Sequence, residues 1–404
     1  MAIGTSEPGI GTAEPCDDRY DPLAPDVLAD PYPVYAQLRA SGAVRWHTKL
    51  ASWLVTEHAA CCEVLRRTDL FGSDFRRIGE QLPGSALSIQ LLDPPDHTPV
   101  RHLFAAAVRA RAFRVLSDDI GRIARRHMEA TLGPEPFDFI TRVARPVAVD
   151  TVTYVLGVPT PDGEEFEAVS NAIVRSMDGG LDPSRVEPGR QARRRLSEMV
   201  DDWTATARGD GMLAYVAANR ERYGVRADVA TNSVRAVLHA GYESASRLLG
   251  NAAATLVRRP EAYAALHDPD LLDDTVEEFV RYDAPVQADA RACVTDTVLA
   301  GCPVRRGDVV VLLLGAANRD PAAFEDPDAF VPARRPNRHL GFGLGAHACL
   351  GAQLARIELA AVLRAVAGTG RTLALAGAPE QEPTATLRGL RGLPVRWEPS
   401  GSRP

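Results

Sequence analysis

The residue of this chain best suited to chemistry is a cysteine, Cys349, which lies among glycines in the run FGLGAHACLG at residues 342–351. Gly343, Gly345 and Gly351 can take positive φ values, so the backbone at these points can approach a flat cofactor closely. The thiol also stands at the predicted N-terminus of a helix, where the helix dipole and unpaired N–H groups favour a thiolate. The pattern therefore suits a soft, anionic axial ligand for iron.

A lone cysteine in an intracellular protein is more commonly a small buried hydrophobe, and Cys349 alone does not distinguish the two uses. Its neighbours do, because the order Phe-Gly-x-Gly-x-His-x-Cys-x-Gly resembles the haem-binding loop of the cytochrome P-450 superfamily. In that family the cysteine is the proximal thiolate of the haem iron. The resemblance implies haem b as the cofactor, Cys349 as the metal ligand, and Phe342, His347 and Gly351 as cofactor-binding residues.

Haem carries two propionates, which need cationic or hydrogen-bonding partners when they are enclosed. The segment DPPDHTPVR at residues 93–101 begins a predicted helix with an acid and a proline, and it places His97 and Arg101 four apart on one face. This segment matches the family's Asp-Pro-Pro-x-His-x-x-x-Arg pattern, and Arg291 and His347 match its other propionate contacts. A helical His/Arg pair is otherwise ordinary solvated charge, so these assignments depend on the resemblance.

A second chemistry-bearing stretch lies inside a long helix predicted over residues 231–257. Ala240 and Gly241 are small where a bound ligand needs room, and Glu243 and Ser244 follow. The stretch resembles the family's oxygen-activating Ala-Gly-x-Glu/Asp-Thr, in which an acid and an alcohol relay protons. Serine lacks the methyl group that restricts χ1 in threonine, so we expect a less rigidly placed proton donor and some leakage to peroxide.

A Glu-x-x-Arg pair, Glu278 and Arg281, lies on another predicted helix, where residues three apart share a face. Such pairs are usually solvated. The residues that follow, up to Arg291, also resemble the family. The resemblance therefore implies a buried structural pair, completed by an arginine such as Arg334 or Arg335.

These residues need a large, mostly helical scaffold to position them. Apolar periodicity predicts helices over residues 33–38, 59–65, 108–132, 143–156, 190–205, 231–257, 273–282 and 351–367. Short apolar or alternating runs predict strands in the hairpins of small sheets, over residues 44–47, 52–56, 297–304, 309–314 and 393–397. We expect a mainly α fold with small β-sheets, and by resemblance the cytochrome P-450 fold, with haem between the long distal helix and the proximal cysteine loop.

Composition sets limits on the class of protein. The 404 residues are 45% hydrophobic and 25% charged, as in soluble proteins with a sizeable core. We expect a single domain over residues 21–398, a disordered segment over 1–20 and a tail over 399–404. The net charge of −7 gives no reason to expect nucleic-acid binding. A basic start followed by an apolar core is lacking, so we expect no membrane segment, a cytoplasmic location and a monomer.

The resemblance implies a bacterial, soluble haem-thiolate monooxygenase. It would activate O2 with electrons from a ferredoxin and its reductase, and would hydroxylate, epoxidise or oxidatively couple a small organic molecule, in secondary-metabolite or antibiotic biosynthesis. The donor is expected to dock near Cys349 by charge complementarity. The arginines that could meet an acidic ferredoxin there are Arg334, Arg335, Arg338 and Arg356. A haem sensor or carrier and a peroxide-driven enzyme are the alternatives, and the presence of Glu243 and Ser244 disfavours both.

The substrate remains open at this level. The variable segments that form the pocket in the family mix apolar and polar residues, which favours a partly polar natural product; they lie at about residues 76–92, 171–180, 286–289 and 384–390. Tyr242 either lines this pocket or packs against a neighbouring helix. Free and carrier-tethered substrates are equally compatible with the sequence.

Overall fold

Helices dominate the computed structural model, which describes residues 20–110, 113–206 and 211–399. They begin and end where the sequence loses its three-to-four-residue apolar spacing. The α-helices of the described residues are α1 Pro25–Ala29, α2 Tyr32–Ser41, α3 His58–Arg66, α4 His97–Ala110, α5 Phe113–Glu129, α6 Arg145–Leu156, α7 Gly163–Arg175, α8 Val186–Thr206, α9 Met212–Asn219, α10 Ala227–Arg258, α11 Pro260–Ala265, α12 Leu272–Tyr282, α13 Leu314–Ala317 and α14 Ala352–Gly368.

The strands are short and form small sheets. In chain order they are β1 Val44–His47, β2 Ser52–Val55, β3 Phe71–Gly72, β4 Phe137–Asp138, β5 Ala288–Cys293, β6 Thr297–Leu299, β7 Cys302–Val304, β8 Val309–Leu313, β9 Arg371–Leu375, β10 Glu380–Gln381, β11 Leu390–Gly392 and β12 Pro394–Pro399. The largest sheet has the order β1-β2-β8-β5-β3, with β2 and β8 parallel and Trp53 opposite Val310. A second sheet has the order β4-β12-β9, and the remaining strands pair as β6-β7 and β10-β11.

Helix α10 passes through the centre of the core. Every residue from Ala245 to Leu256 is buried, as expected of a helix that is covered on all sides. One turn earlier the burial is incomplete, because Val237, Ala240 and Ser244 are only half-buried and recur at helical spacing on one face. The helix therefore has a fully packed half and a half with one open face.

Most long predicted helices are present. The distal helix predicted over 231–257 extends over Ala227–Arg258, and the helix predicted over 108–132 corresponds to the end of α4 and to α5, on either side of residues that the structure does not describe. Both elements bury one face, for example through Leu103 in α4 and Ile120 in α5.

The terminal segments expected to be disordered lie almost wholly outside the described residues. Of their two described members, Tyr20 is buried with its ring 6.0 Å from that of Tyr35, and Pro399 is exposed but pairs with Arg371 in the sheet. None of the helices in the described ranges is both long enough and apolar enough to cross a membrane.

Candidate active site

The loop that carries Cys349 is shaped by two glycines and one backbone hydrogen bond. Gly343 and Gly345 have φ values of 62° and 76°, in the left-handed region that favours glycine. A Cβ on Gly345 would also collide with the carbonyl oxygen of Leu65 in α3. The Cys349 N–H donates to the Phe342 carbonyl over 2.8 Å. The loop is therefore pressed against α3 and folded back on itself.

Gly351 has a different function from the one the sequence predicts. Its φ is −90°, which any residue can adopt, so the expectation of a positive φ is wrong. Gly351 is instead the N-cap of α14, and a Cβ there would lie 4.0 Å from the Cys349 sulfur. Its N–H hydrogen-bonds to that sulfur. This glycine therefore begins the helix directly beside the thiol.

Cys349 is exposed although protein surrounds it. Its side chain is solvent-accessible, yet enough protein surrounds it that burial raises the pKa of the thiol. The Gly351 N–H, Arg101 and Arg356 act in the opposite direction without outweighing burial. The stabilisation expected at the helix terminus is thus present, but it does not by itself make a thiolate. A bound metal cation is the group that would complete it.

Side chains with unused hydrogen-bonding capacity, an imidazole and a guanidinium, lie near this thiol. His97 is buried with its ring 4.5 Å from that of His347, and its Nε2 atom has no hydrogen-bond partner. Burial, followed by the charges of His347 and Arg101, lowers the pKa of His97 to about 4. No hydrogen bond or ion pair joins Arg101 to another residue in the described part of the chain. Such uncommitted groups fit a cofactor that brings in carboxylates, as haem does.

Arg291, the remaining predicted propionate contact, is buried but partly engaged. It lies on β5, next to the Ala292–Gly72 pair with β3, and its guanidinium contacts Asp289 at 2.7 Å. The structure thus brings together His97, Arg101, His347 and Cys349 by direct proximity. Arg291 lies apart from these four residues in the chain, on strand β5.

On the opposite element, α10, the predicted oxygen-activating residues face different ways. The Ser244 hydroxyl, on the half-open face, donates to the Ala240 carbonyl over 2.7 Å. A Cβ on Gly241 would lie 2.9 Å from Val152 of α6. The missing side chain at Gly241 therefore allows two helices to approach closely, whereas the sequence suggested room for a ligand.

Glu243 is buried and forms an ion pair with Arg247, one turn further along α10. Sequence reasoning missed this partner, although the spacing of four residues is a recognisable signal for a helical ion pair. Burial lowers the pKa of Arg247 to about 10, against the opposing charge of Glu382. Glu382 also accepts from Arg145 over 3.3 Å, and Arg145 donates to the half-exposed Glu167 over 2.5 Å. A chain of alternating charges thus leads from Glu243 toward the surface.

Tyr242 packs against a neighbouring helix. Its ring is buried and lies edge-on to Phe166 of α7, with the two centroids 4.9 Å apart. Burial raises the pKa of its hydroxyl to about 12. Of the two interpretations that the sequence left open, packing is therefore the one that the structure supports.

The Glu-x-x-Arg pair is fully buried, as the resemblance implied. Arg281 donates to Glu278 through two hydrogen bonds of 2.8 Å, and the Arg334 Nε lies 3.1 and 3.2 Å from the two Glu278 oxygens. Arg281 also donates to three backbone carbonyls, those of Asn318, Pro327 and Ala329. This cluster therefore fixes the chain that leads to the cysteine loop.

The expected docking arginines divide into two groups. Arg334 is buried on Glu278, and Arg356 binds Glu277 while its guanidinium lies 4.5 Å from the centroid of the Phe342 ring. Arg334 is too buried to meet a partner protein, so that part of the expectation is wrong, whereas Arg356 is half-buried. The other two arginines, Arg335 and Arg338, are exposed.

Comparisons with known proteins agree with this arrangement. The family model described as Cytochrome P450 matches residues 254–366. Cytochrome P450 monooxygenase PikC from Streptomyces venezuelae is 32% identical, over 93% of this chain and 93% of the relative. A mutant of P450 EryK, solved with erythromycin B, is 30% identical with a TM-score of 0.84, over 95% of this chain and 99% of that one.

P450BioI, solved with an acyl carrier protein that bears hexadec-9Z-enoic acid, is 26% identical with a TM-score of 0.81, over 92% of this chain and 99% of that one. The mainly α-helical fold with small sheets is thus shared with relatives along nearly their whole length. The cysteine loop and the long helix opposite it lie within that shared fold. The chain therefore belongs to the cytochrome P450 family of haem-thiolate proteins, and it is a P450 monooxygenase.

Proposed function

We propose that the protein is a haem b monooxygenase, with its site in one domain over residues 21–398, that inserts oxygen from O2 into a small organic molecule. The observation that carries this proposal is the accessible Cys349 thiol near two side chains with free hydrogen-bonding capacity, the imidazole of His97 and the guanidinium of Arg101. When bound, haem supplies the iron at which O2 is activated. Cys349 would be its ligand. The residues that would hold the remainder of the haem are His97, Arg101, Ala240, Arg291, Phe342, His347 and Gly351, whereas Gly241 packs against α6.

Glu243 and Ser244 would manage protons on the distal side. The Ser244 hydroxyl already donates its hydrogen to Ala240, so its free lone pairs can accept a hydrogen bond from water or a protonated group in the site. Glu243 would exchange protons with the charge chain that begins at Arg247. Arginine does not release its proton, so water between Glu243 and Glu382 would have to carry the proton past it.

Electrons would come from a ferredoxin served by a ferredoxin reductase. Arg335 and Arg338 are exposed on the segment that precedes the cysteine loop, close in the chain to Cys349, although Arg335 also pairs with Asp274. Complementary charge would steer an acidic ferredoxin to this face and increase its association rate.

The substrate would be a partly polar natural product of secondary metabolism. The relative solved with erythromycin B supports this class, because that protein shares 99% of its length with this chain. The relative solved with an acyl carrier protein supports a second possibility within this class, a substrate that is tethered to a carrier protein. The exposed Met177 and half-buried Asn171 lie in one predicted pocket segment, which mixes apolar and polar character.

The decisive experiment is the carbon monoxide difference spectrum of the reduced protein, recorded for the wild type, Cys349→Ser and Cys302→Ser. Cys302 lies in the β6-β7 hairpin and controls for the loss of a thiol as such. We expect a strongly red-shifted Soret band in the wild type and C302S, and its loss in C349S. An unshifted wild-type band, or a shifted band that persists in C349S, would overturn the proposal. Product formed with ferredoxin and reductase, and not with peroxide alone, separates the monooxygenase from a peroxide-driven enzyme and from a carrier.

A further inference from the structure

The carboxylate of Asp93 is buried where three segments of the chain meet. One oxygen accepts from the Ser73 amide at 3.0 Å and lies 3.2 Å from His347 Nε2. The other accepts from the Asp74 amide at 3.1 Å and from Arg77 Nη1 at 3.0 Å. Four donors from two distant parts of the sequence thus converge on a side chain that is 4% exposed.

The packing around Asp93 is equally restrictive. A Cβ on Gly72, the last residue of β3, would collide with the Asp93 carboxylate. The Asp93 carbonyl accepts from the His97 N–H over 2.9 Å, at the beginning of α4. One residue therefore connects the β3 turn, the start of α4 and the cysteine loop.

The contact with His347 orients a ring that lies beside His97 and near Arg101. When an imidazole forms a hydrogen bond to a carboxylate through one ring nitrogen, its ring plane is fixed. The other ring nitrogen stays available for a second hydrogen-bond partner. The His347 ring lies 4.5 Å from His97, whose Nε2 has no partner. We propose that Asp93 is a positioning residue for the haem propionates, which holds His347 in place beside His97 and Arg101. This inference rests on the proposed haem-binding function.

A carboxylate next to a propionate site would repel the propionates unless hydrogen bonds and cations of the protein already compensated its negative charge. Burial by itself would raise the pKa of Asp93, yet the hydrogen bonds from His347, from the Ser73 and Asp74 amides and from Arg77 bring it well below the usual range. Asp93 is therefore an ionised acceptor whose charge is committed to its own donors. It can orient His347 while leaving Arg101 free.

The experiment measures how fast haem leaves the oxidised protein for apomyoglobin. Asp93→Asn keeps the shape of the side chain but loses the charge and one acceptor, and each charge-assisted hydrogen bond is worth roughly 1.5–3 kcal/mol, so we expect release to be about 10- to 100-fold faster. The matched control is Asp74→Asn, since Asp74 is also buried and binds Arg76 but does not contact His347. The rate of haem release from D74N should stay within about threefold of the wild-type rate.

A double-mutant cycle separates positioning from a general loss of structure. If Asp93 acts through His347, D93N should add little to the release rate once His347→Gln is present. Additive effects, or equal rates for D93N and D74N, would overturn the inference while leaving the proposed function intact. A wild type without thiolate-bound haem overturns both. Should D93N fail to fold, Asp93→Glu keeps the charge, displaces the carboxylate by one methylene and takes its place in the cycle.

Discussion

Glu243 and Arg247 form an ion pair inside the protein, one helical turn apart on α10 and immediately beside Ser244. Both side chains are buried, and the stem of Arg247 packs so closely on Gly389 that a Cβ there would collide with it. Glu243, the acid that we propose to transfer protons, is thus held in place by Arg247 on the same helix. Removing that neighbour would leave a carboxylate buried without a counter-charge.

Arg247→Met is therefore expected to lower the free energy of unfolding by about 3–5 kcal/mol, the usual cost of breaking one side of a buried pair. Urea denaturation of the wild type and the variant measures this difference. The control is Arg391→Met, since Arg391 pairs with Glu380 on the surface and should cost at most about 1 kcal/mol. Similar losses in R247M and R391M would show that Glu243 is not held in a dry site.

Neighbouring arginines in the Glu278 cluster provide a second prediction. Arg334 is buried on Glu278, whereas Arg335 is exposed and pairs with Asp274 at 2.6 Å. Arg334→Met should cost about 3 kcal/mol or more of unfolding free energy and should reduce the haem content of purified protein, because Glu278 loses one of its two buried cations. Arg335→Met should cost less than about 1 kcal/mol. Haem content is measured by absorbance per mole of protein, and equal losses would contradict the assignment.

The sequence could predict what depends on local spacing and could not predict what depends on distant partners. The distal helix follows from periodicity, and the spacing of Glu278 and Arg281 gives them a shared helical face, while their burial was implied only by the family resemblance. The salt bridge from Arg145 to Glu382 joins residues 237 positions apart, so no local pattern encodes it. Whether Arg334 or Arg335 completes the cluster was likewise decided by burial, which adjacent arginines do not reveal.

Two glycines that the sequence treats alike should respond differently to substitution. Gly345 has a φ of 76°, and a Cβ there would meet the Leu65 carbonyl, whereas Gly351 has a φ of −90° and open contact distance to Cys349. The left-handed conformation alone costs an alanine about 1–2 kcal/mol, and the collision with backbone adds to it. Gly345→Ala should therefore unfold at a clearly lower temperature and lose haem, while Gly351→Ala should unfold close to the wild-type temperature. Thermal unfolding followed at the Soret band measures the two together, and a tolerant G345A would contradict the observed loop geometry.

Glu358 on α14 makes the stability of the protein depend on pH. Burial raises its pKa from 4.5 to about 8, with only the Thr151 side chain acting in the opposite direction. The folded state therefore holds this proton more tightly than the unfolded state. The stability that Glu358 contributes is fully present below pH 4.5 and is lost as the pH rises through about 8.

Glu358→Gln cannot ionise, so the stability of the wild type relative to E358Q should fall by about 1.4 kcal/mol per pH unit between pH 5 and 8. Urea denaturation at several pH values in this interval gives the slope. A difference that stays constant over the interval would mean that the carboxyl is solvated in the folded protein.

The hydroxyl of Ser244 should control how efficiently oxygen is used. Because the hydroxyl donates to the Ala240 carbonyl, it can only accept from water or an acid in the distal space, and Ser244→Ala removes that acceptor. Water would then be poorly held, and we expect the ratio of hydrogen peroxide released to product formed to rise by about 5- to 10-fold, less than the roughly 100-fold of a complete loss of acid–base catalysis, because Glu243 remains.

Ser244→Thr should change the ratio in the opposite direction, because the extra methyl group restricts χ1 while the hydroxyl can still bond to Ala240. The control is Ser246→Ala, since Ser246 is buried two residues away and donates to the Glu243 carbonyl over 3.2 Å, on a different side of α10. Peroxide, product and reduced cofactor consumed are measured in the same reaction. If S244A and S246A release the same share of peroxide, the hydroxyl of Ser244 has no specific part in proton delivery, and the open face of α10 only provides space.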